Sequence, residues 1–248
     1  MTIHHFFLNS ETISSAQVFL YGQEHHHLAR VLRLKEGERI RLFNGKGEIF
    51  SGRIEKIERN KTLVRLEERL EPERINVFIT VAQACLKSRV MDWVIAKMAE
   101  LRVSKIIPLI TQRTVVRFEE GDRKRIKRWQ RLALEAAKQS QSSFIPEITS
   151  PQELEKVIRF CSEEKKYFLS EHEGELLKDI LLIEFKDVSK PKPSSIIICV
   201  GPEGGWTKTE EELLVKNSFQ PISLGQKIYR AETALLIVTS ILTHFWNA

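Results

Sequence analysis

Residues 196–206, Ile-Ile-Ile-Cys-Val-Gly-Pro-Glu-Gly-Gly-Trp, join an unbroken apolar run to a loop that holds three glycines and a proline. Such a run is typical of a strand buried on both faces of a parallel sheet. Thr207 and Glu210 follow at the spacing of a capping box, which predicts that a helix begins there. The order of strand, glycine-rich loop and capped helix predicts a ligand site at the carboxyl end of a parallel strand. The alternative is a tight turn that binds nothing, because one glycine-rich loop is a weak signal.

A second glycine-bearing turn lies in residues 222–234, Ile-Ser-Leu-Gly-Gln-Lys-Ile-Tyr-Arg-Ala-Glu-Thr-Ala. It also leaves a short strand and enters a helix, predicted over residues 233–246. Neither turn contains the dinucleotide motif Gly-x-Gly-x-x-Gly or the Gly-Lys-Ser/Thr of a P-loop. The sequence therefore predicts a ligand site of a different kind.

The two turns, in this order at the C-terminal end, resemble those of the RsmE family within the SPOUT class of RNA methyltransferases. The resemblance implies an α/β fold with a knotted, mostly parallel sheet and helices on both faces, preceded by a small PUA-like β-barrel. It implies S-adenosylmethionine as the cofactor and N3 of a uridine in small-subunit (16S) ribosomal RNA as the methylated atom. It also implies a homodimer, with ribosomal RNA or the small ribosomal subunit as partner.

Further matches to this family extend along nearly the whole chain. They comprise His26-His27-Leu28, Arg30 to Arg33, Gly37, Lys87, Lys97, Glu100-Leu101, Arg113, Glu135 to Ala137, Gln139-Ser140 and Pro146. Three positions depart from the family pattern: glycine is usual at Arg102, leucine at Tyr229 and arginine near Ser142.

The resemblance assigns cofactor binding to the two turns. The predicted cofactor-binding residues are Leu169, Gly201, Pro202, Glu203, Gly204, Gly205, Leu224, Gly225, Ile228, Tyr229, Arg230, Thr233 and Ala234. Adenine needs a flat apolar slot and backbone hydrogen-bond partners, which an irregular glycine-bearing segment supplies. Burial of Leu224 and Ile228 in an ordinary core is the alternative.

Arg230 and Glu232 are the predicted catalytic residues. The proton on uridine N3 must leave before or during methyl transfer, so a positioned carboxylate could accept it and a nearby cation could stabilise the uridine anion. Arg230 would lie near the methionine carboxylate or the RNA phosphate. Glu203 is a weaker candidate for the base. The alternative is that Glu232 only complements the helix N-terminus and that Arg230 is a solvated cation.

His27, Arg30, Arg33, Lys87 and Arg113 are the predicted RNA-binding residues. The formal net charge of +6 fits a nucleic-acid partner without requiring one. No metal site is expected at residues 25–27, because adjacent histidines on a helix point to different faces and no further ligands accompany them. The cations of residues 123–131 are typical of a solvated helix face, some of which could contact phosphate.

The pattern of predicted secondary structure changes near residue 72. Residues 1–72 show short alternating strands, a hairpin signal at Asn44-Gly45 and a glycine, Gly52, that suggests a bulge. From residue 73 strands and helices alternate, which predicts a parallel sheet. These patterns predict a small β-barrel over 1–72 and an α/β domain over 73–248. The family resemblance implies that the first is a PUA-like RNA-binding barrel and that the second is a SPOUT methyltransferase domain with a C-terminal trefoil knot.

Composition places the chain among ordinary globular proteins, with 42% hydrophobic and 29% charged residues. Its three cysteines form no metal-binding spacing, and Cys85 and Cys199 are predicted to be core residues in a reducing compartment. No signal peptide or membrane span is predicted, so a cytoplasmic location is expected. The segment 233–246 is apolar on every side, which predicts a core on one side and a partner subunit on the other.

Two rival functions remain open from the sequence. One is another SPOUT methyltransferase, acting on a ribose 2′-oxygen or on tRNA. The other is a non-catalytic RNA-binding factor for ribosome assembly that keeps the same fold.

Overall fold

The computed structural model describes residues 3–8, 16–71, 74–116, 123–171, 174–186 and 192–247. The chain divides into two compact units. The first comprises Met1–Arg74 with Leu134–Ile145, and the second comprises Ile75–Ala133 with Pro146–Ala248. The boundary near residue 74 lies close to the predicted domain boundary at residue 72. The placement of Leu134–Ile145 in the first unit was not predicted.

The first unit is built on a five-stranded mixed sheet of order β1-β3-β4-β5-β2. Its β1 is parallel to β3, and the other pairs are antiparallel. The strands are β1 (His5–Phe7), β2 (Gln17–Tyr21), β3 (Arg39–Phe43), β4 (Ile49–Ile57) and β5 (Lys61–Leu70). A short helix α1 (Gly22–His26) and a π-helical turn (His27–Val31) follow β2, and Leu28 of that turn is fully buried in the apolar core of the unit.

Gly52 marks a β-bulge, as its place in a strand pattern predicted. The register of β4 on β5 shifts between Ser51 and Gly52. A Cβ added at Gly52 would lie 2.7 Å from Cδ1 of Leu42 and 2.8 Å from Cγ1 of Val64, so packing under this strand requires glycine. The predicted hairpin is also present, but its loop spans residues 44–48 rather than two residues.

A buried ion pair helps to explain why residues 134–145 belong to the first unit. Nζ of Lys138 lies 2.8 Å from Oε1 of Glu24 in α1, and their side chains are 5% and 13% exposed. Ser142, where arginine is usual in the family, is fully buried, and its hydroxyl bonds both the N–H and the carbonyl of Phe144. Ser142 is therefore part of a packed turn and presents nothing to a ligand.

The second unit is an eight-stranded, wholly parallel sheet of order β11-β13-β10-β12-β6-β7-β8, with β9 also paired to β7. Its strands are β6 (Phe78–Ala84), β7 (Lys105–Ile110), β8 (Glu147–Ile148), β9 (Gln152–Glu153), β10 (Lys165–Leu169), β11 (Glu175–Leu176), β12 (Ser195–Val200) and β13 (Gln220–Ser223). Its helices are α2 (Ser88–Glu100), α3 (Arg123–Gln139), which continues into the first unit, α4 (Leu154–Phe160), α5 (Leu177–Lys186), α6 (Lys208–Lys216) and α7 (Ala231–Asn247). The predicted parallel sheet with helices is confirmed.

Pro108 lies in β7, which is an interior strand of the sheet. On one side β7 pairs with β6 along most of its length. On the other side β8 pairs with residues 105–106 and β9 with residues 109–110. Pro108 falls between these two short pairings, where its missing N–H costs no ladder hydrogen bond on that side.

Helix α7 closes the unit against the start of β6. Oδ1 of Asn247 accepts hydrogen bonds from the backbone N–H groups of Asn76 and Val77, and its Nδ2 donates to the carbonyl of Val77. Leu235, Val238, Leu242 and Trp246 are buried on one face, whereas Ile241 on another is 40% exposed. The predicted partner subunit on that second face stays a prediction.

The end of α2 explains one departure from the family pattern. Arg102 has φ +59°, a left-handed conformation that glycine adopts without steric cost and that commonly ends a helix. The glycine usual at this position therefore suits the backbone, and the arginine here adopts the same conformation. No helix within the described ranges is long and apolar enough to cross a membrane.

Candidate active site

A cavity of about 680 Å³ lies in the second unit, at the carboxyl ends of strands β13, β10 and β12. Ligands bind at this edge in open parallel sheets, and the volume lies within the range of small-molecule sites. Two segments form most of its wall, the glycine-rich loop at 200–206 and the second turn at 223–232. The two turns singled out in the sequence therefore meet at one site.

The predicted site residues divide into two groups. The cavity is lined by Leu169, Gly201, Pro202, Glu203, Gly204, Gly205, Leu224, Gly225, Ile228, Tyr229, Arg230, Glu232 and Ala234, and also by Lys87 and Arg113. Thr233 does not line it, although its two neighbours in α7 do. His27, Arg30 and Arg33 belong to the first unit.

A capping box starts the helix after the glycine-rich loop, as predicted. Oγ1 of Thr207 accepts from the backbone N–H of Glu210 at 3.3 Å. In return Oε2 of Glu210 accepts from the Thr207 N–H at 2.8 Å and from its hydroxyl at 3.0 Å. Glu210 is only 3% exposed, and its second oxygen accepts from the N–H of Gln112 at 2.8 Å. This carboxylate therefore joins the start of α6 to the segment that follows β7.

Hydrogen bonds from neighbouring strand ends also hold the glycine-rich loop. Nε2 of Gln83, at the end of β6, donates to the Gly201 carbonyl at 3.2 Å. Nη1 of Arg113 donates to the carbonyls of Gly204 and Trp206 at 2.7 and 3.0 Å. Sequence reasoning missed Gln83 altogether, because no local pattern relates it to a loop 118 positions later.

Glycine is favoured at different positions of the two turns for different physical reasons. Gly225 has φ +103° with no atom within 4 Å of an added Cβ, so its backbone conformation alone favours glycine. A Cβ at Gly201 would lie 3.2 Å from the Trp206 ring, whereas one at Gly204 would make an ordinary 3.5 Å contact with Arg113. At Gly204 and Gly225 the protein itself therefore leaves room for a Cβ, so crowding at these positions would arise only against a ligand.

Arg230 and Glu232 occupy the segment where the second turn enters α7. Arg230 is exposed and Glu232 is half-buried. Among the residues that the structure describes, neither side chain forms a hydrogen bond or an ion pair, so both are free to meet a ligand. Ile228 is 80% exposed at the rim, which excludes the ordinary core position considered for it.

Polar and charged groups line one part of the cavity. Oε1 of Glu211 accepts from the hydroxyl of Ser170 at 3.1 Å, and Glu171 and Glu203 are exposed. Lys87, at the start of α2, supplies a further cation. The cavity therefore offers charges of both signs beside the apolar groups of Leu169, Val200 and Leu224.

The histidines at 25–27 have structural surroundings. Nδ1 of His25 lies 2.8 Å from Oγ1 of Thr62 and the residue is buried, whereas the ring of His27 packs edge-on against Phe6. Within the described residues no cluster of histidine, cysteine and carboxylate side chains could hold a metal ion. The expectation of a metal-free protein stays a prediction.

The cations of the first unit fall into two sets. Those on β4 and β5 are paired across the strands, as in Arg53 with Glu67 at 2.7 Å and Arg65 with Glu55 at 3.3 Å. The hydrogen bond from Arg53 lowers the pKa of Glu67. By contrast, Arg30 and Arg33 are exposed, and within the described part of the chain they form no ion pair. Arg33 also has φ +54°, an uncommon conformation for an arginine.

The three cysteines are unpaired. Cys85 and Cys199 are buried among apolar side chains, as predicted. Burial raises the pKa of the Cys85 thiol to about 12 and raises the pKa of Cys199 as well, so both remain neutral core groups.

Comparison with known proteins agrees with this geometry. The sequence model described as an RNA methyltransferase domain matches residues 73–243, and that of the RNA methyltransferase PUA domain matches residues 20–67. The ribosomal RNA small subunit methyltransferase E of Rickettsia conorii is 35% identical over 244 residues, which cover 95% of this chain and 93% of that protein. The chain belongs to the ribosomal RNA small subunit methyltransferase E family.

Further relatives and solved structures match along nearly their full length. The Bacillus subtilis protein is 28% identical over 96% of this chain and 94% of its own. The structure of the Neisseria gonorrhoeae enzyme bound to S-adenosyl methionine has a TM-score of 0.86 at 29% identity and covers 99% of this chain and 98% of its own. A Legionella pneumophila methyltransferase, solved with the cofactor SAM, has the same TM-score at 30% identity, with 98% of both chains covered.

Proposed function

We propose that this protein is an S-adenosylmethionine-dependent methyltransferase that methylates N3 of a uridine in small-subunit (16S) ribosomal RNA. One observation carries the proposal: the cavity at the strand ends is walled by both glycine-bearing turns and contains the unpaired side chains of Arg230 and Glu232. Membership of the small subunit methyltransferase E family supports the reaction class and the RNA substrate. The cofactor bound in the Neisseria gonorrhoeae enzyme supports S-adenosylmethionine.

The cavity fits S-adenosylmethionine in size and in chemistry. Leu169, Val200 and Leu224 offer apolar surface for the adenosine part, and the glycine-rich backbone lets a ligand approach closely. Glu171 and Glu211 would face the positive charges of the methionine part, and a cation such as Lys87 or Arg230 would face its carboxylate. When bound, the cofactor supplies an electrophilic methyl group.

Arg230 and Glu232 perform the remaining chemistry in this proposal. The carboxylate of Glu232 accepts the N3 proton of uridine. The guanidinium of Arg230 cannot lose its own proton in the working pH range, so it is a fixed positive charge that stabilises the N3 anion. Both residues line the cavity where the second turn enters α7.

Arg30, Arg33 and His27 of the first unit bind the RNA backbone in this proposal, together with Lys87 at the cavity. The contrast with the paired arginines on β4 and β5 supports it, because only unpaired cations release counterions fully when they meet phosphate. Replacing Arg30 and Arg33 with glutamine should weaken RNA binding and reduce its salt dependence. Replacing Arg53 and Arg65, which are held by Glu67 and Glu55, with glutamine is the matched control and should change the salt dependence less. Equal effects of the two changes would contradict the assignment.

The proposal extends to the domains, the oligomeric state and the location of the protein. Its domains are a PUA-like RNA-binding barrel over 1–72 and a methyltransferase domain with a C-terminal trefoil knot over 73–248. The two matched family models support the two domain types, and the knot rests on the family resemblance. The protein forms a homodimer through α7, whose Ile241 is 40% exposed. It acts in the cytoplasm, where the ribosome is. Sedimentation analysis tests the dimer, which a monomer at micromolar concentration would contradict.

Nucleoside mapping separates this function from its rivals. Ribosomal RNA from a strain that lacks this gene should lose one 3-methyluridine, which the wild-type gene restores. Loss of a ribose 2′-O-methyl group, or of a tRNA modification, would favour another methyltransferase of the same fold. Unchanged RNA with altered subunit assembly would favour a non-catalytic factor.

A further inference from the structure

The segment after β7 is bonded both to the glycine-rich loop and to helix α6, which follows that loop. Arg113 donates from Nη1 to the carbonyls of Gly204 and Trp206 at 2.7 and 3.0 Å. The neighbouring Gln112 donates its backbone N–H to the buried carboxylate of Glu210 at 2.8 Å. The Arg113 side chain also lies along the loop, since a Cβ on Gly204 would be 3.5 Å from its Cδ.

The loop needs such fastening because of its composition. Gly201, Gly204 and Gly205 make the unbound segment adaptable, and Gly205 has φ +67°. Holding a glycine-rich segment in one conformation costs conformational entropy. When the ligand itself must impose that conformation, this cost lowers the binding affinity. A guanidinium that bonds two carbonyls of this segment supplies the constraint before the ligand arrives.

We infer that Arg113 is a positioning residue for the S-adenosylmethionine loop, acting through the Gly204 and Trp206 carbonyls, and that it is not an RNA contact. The inference rests on the proposed function of the same cavity. It differs from the RNA-binding role that the sequence suggested for this arginine, because both protons of Nη1 are held by carbonyls of the loop, which fixes the side chain on the loop. Glu210 of α6 holds the same segment by accepting a hydrogen bond from the backbone N–H of Gln112.

The test compares cofactor and RNA binding in the full-length protein. Arg113→Gln should weaken S-adenosylmethionine binding by about 10- to 100-fold, the scale of losing hydrogen bonds from a charged group. Its RNA affinity should be unchanged, and so should the slope of RNA affinity against salt, which would fall by about one if a phosphate contact were lost. KM for the cofactor should rise and KM for RNA should not. Arg113→Lys, which can still donate to a carbonyl, should recover part of the cofactor affinity.

Two further variants make the result decisive. Arg159→Gln removes an exposed arginine of α4 outside the cavity and should change neither binding measurement. Glu210→Ala removes the acceptor of the Gln112 N–H without touching Arg113 and should also weaken cofactor binding alone, which keeps the inference testable if Arg113→Gln does not fold. Unchanged cofactor affinity with a reduced salt slope overturns the inference. Failure of the wild-type protein to bind S-adenosylmethionine at all would instead overturn the proposed function.

Discussion

The indole Nε1 of Trp206 donates a 2.9 Å hydrogen bond to the backbone carbonyl of Leu169. Trp206 ends the glycine-rich loop after β12, and Leu169 ends the neighbouring strand β10. The ring of Trp206 also covers Gly201, whose added Cβ would lie 3.2 Å away. This one side chain therefore fixes both ends of the loop that lines the cavity.

Trp206→Phe should weaken cofactor binding moderately. The phenyl ring keeps part of the packing over Gly201 but loses the hydrogen bond to Leu169, worth about 1 kcal/mol. We expect a drop in S-adenosylmethionine affinity of about 5-fold by calorimetry, with a smaller change in thermal stability. An affinity equal to that of the wild type would show that the loop does not depend on this hydrogen bond.

Gly225→Ala should weaken cofactor binding through the backbone. At φ +103° an alanine is strained by about 1 kcal/mol or more, although space is open around it. Gly37→Ala is the matched control, since Gly37 has φ +90°, equally open surroundings and a place in the first unit. Both variants should lose similar stability in urea unfolding. Only Gly225→Ala should lose cofactor affinity, and a similar loss in both would contradict the assigned site.

Much of this site could be predicted from the sequence, because its main parts are local. The capping box of Thr207 and Glu210, the strand before it and the second turn each occupy a few consecutive residues. The hydrogen bonds that hold the loop from distant parts of the sequence could not be predicted in the same way. Gln83 reaches the loop from β6, which adjoins β12 only in the folded sheet, and Arg113 reaches it from the segment after β7, one strand further away. Their roles therefore depend on pairing order rather than on spacing.

The fold shows the same division between local and long-range information. Strands with long apolar runs were predicted, whereas the two-residue strands β8 and β9 were not, because they are too short to have a period. The exposure of Ile228 was missed for a related reason: an apolar residue beside a turn carries no signal of whether it faces the core or a cavity rim.

Tyr167→Phe should change how stability depends on pH in the alkaline range. Burial of Tyr167, with smaller contributions from Glu184 and Glu175, raises its pKa from 10 to about 12. Between these values the unfolded chain loses the phenolic proton while the folded chain keeps it, so stability falls as pH rises. Removing the hydroxyl should reduce this fall by up to about 1.4 kcal/mol per pH unit. Urea unfolding at pH 9.5 and 11.5 measures it, and parallel declines in both proteins would contradict the expectation.

Arg230→Ala and Glu232→Gln should separate chemistry from binding. Arg230→Ala should lower turnover by about 10²-fold, the scale of losing one electrostatic group at a reaction centre. If the cofactor carboxylate is its partner, S-adenosylmethionine affinity should collapse as well. Glu232→Gln should lower turnover with little change in either affinity, because the amide cannot accept the N3 proton. Near-normal turnover in both variants would place the chemistry elsewhere.

Transfer of an isotope-labelled methyl group from S-adenosylmethionine to small-subunit ribosomal RNA, or to the assembled subunit, by the purified protein tests the central claim most directly. Digestion and mass spectrometry of the nucleosides then locate the label. The account predicts 3-methyluridine as the labelled product from wild-type protein, and at least about 10²-fold less from Arg230→Ala. Label on a ribose oxygen or another base, or no transfer to either substrate by a protein that binds the cofactor, would contradict it.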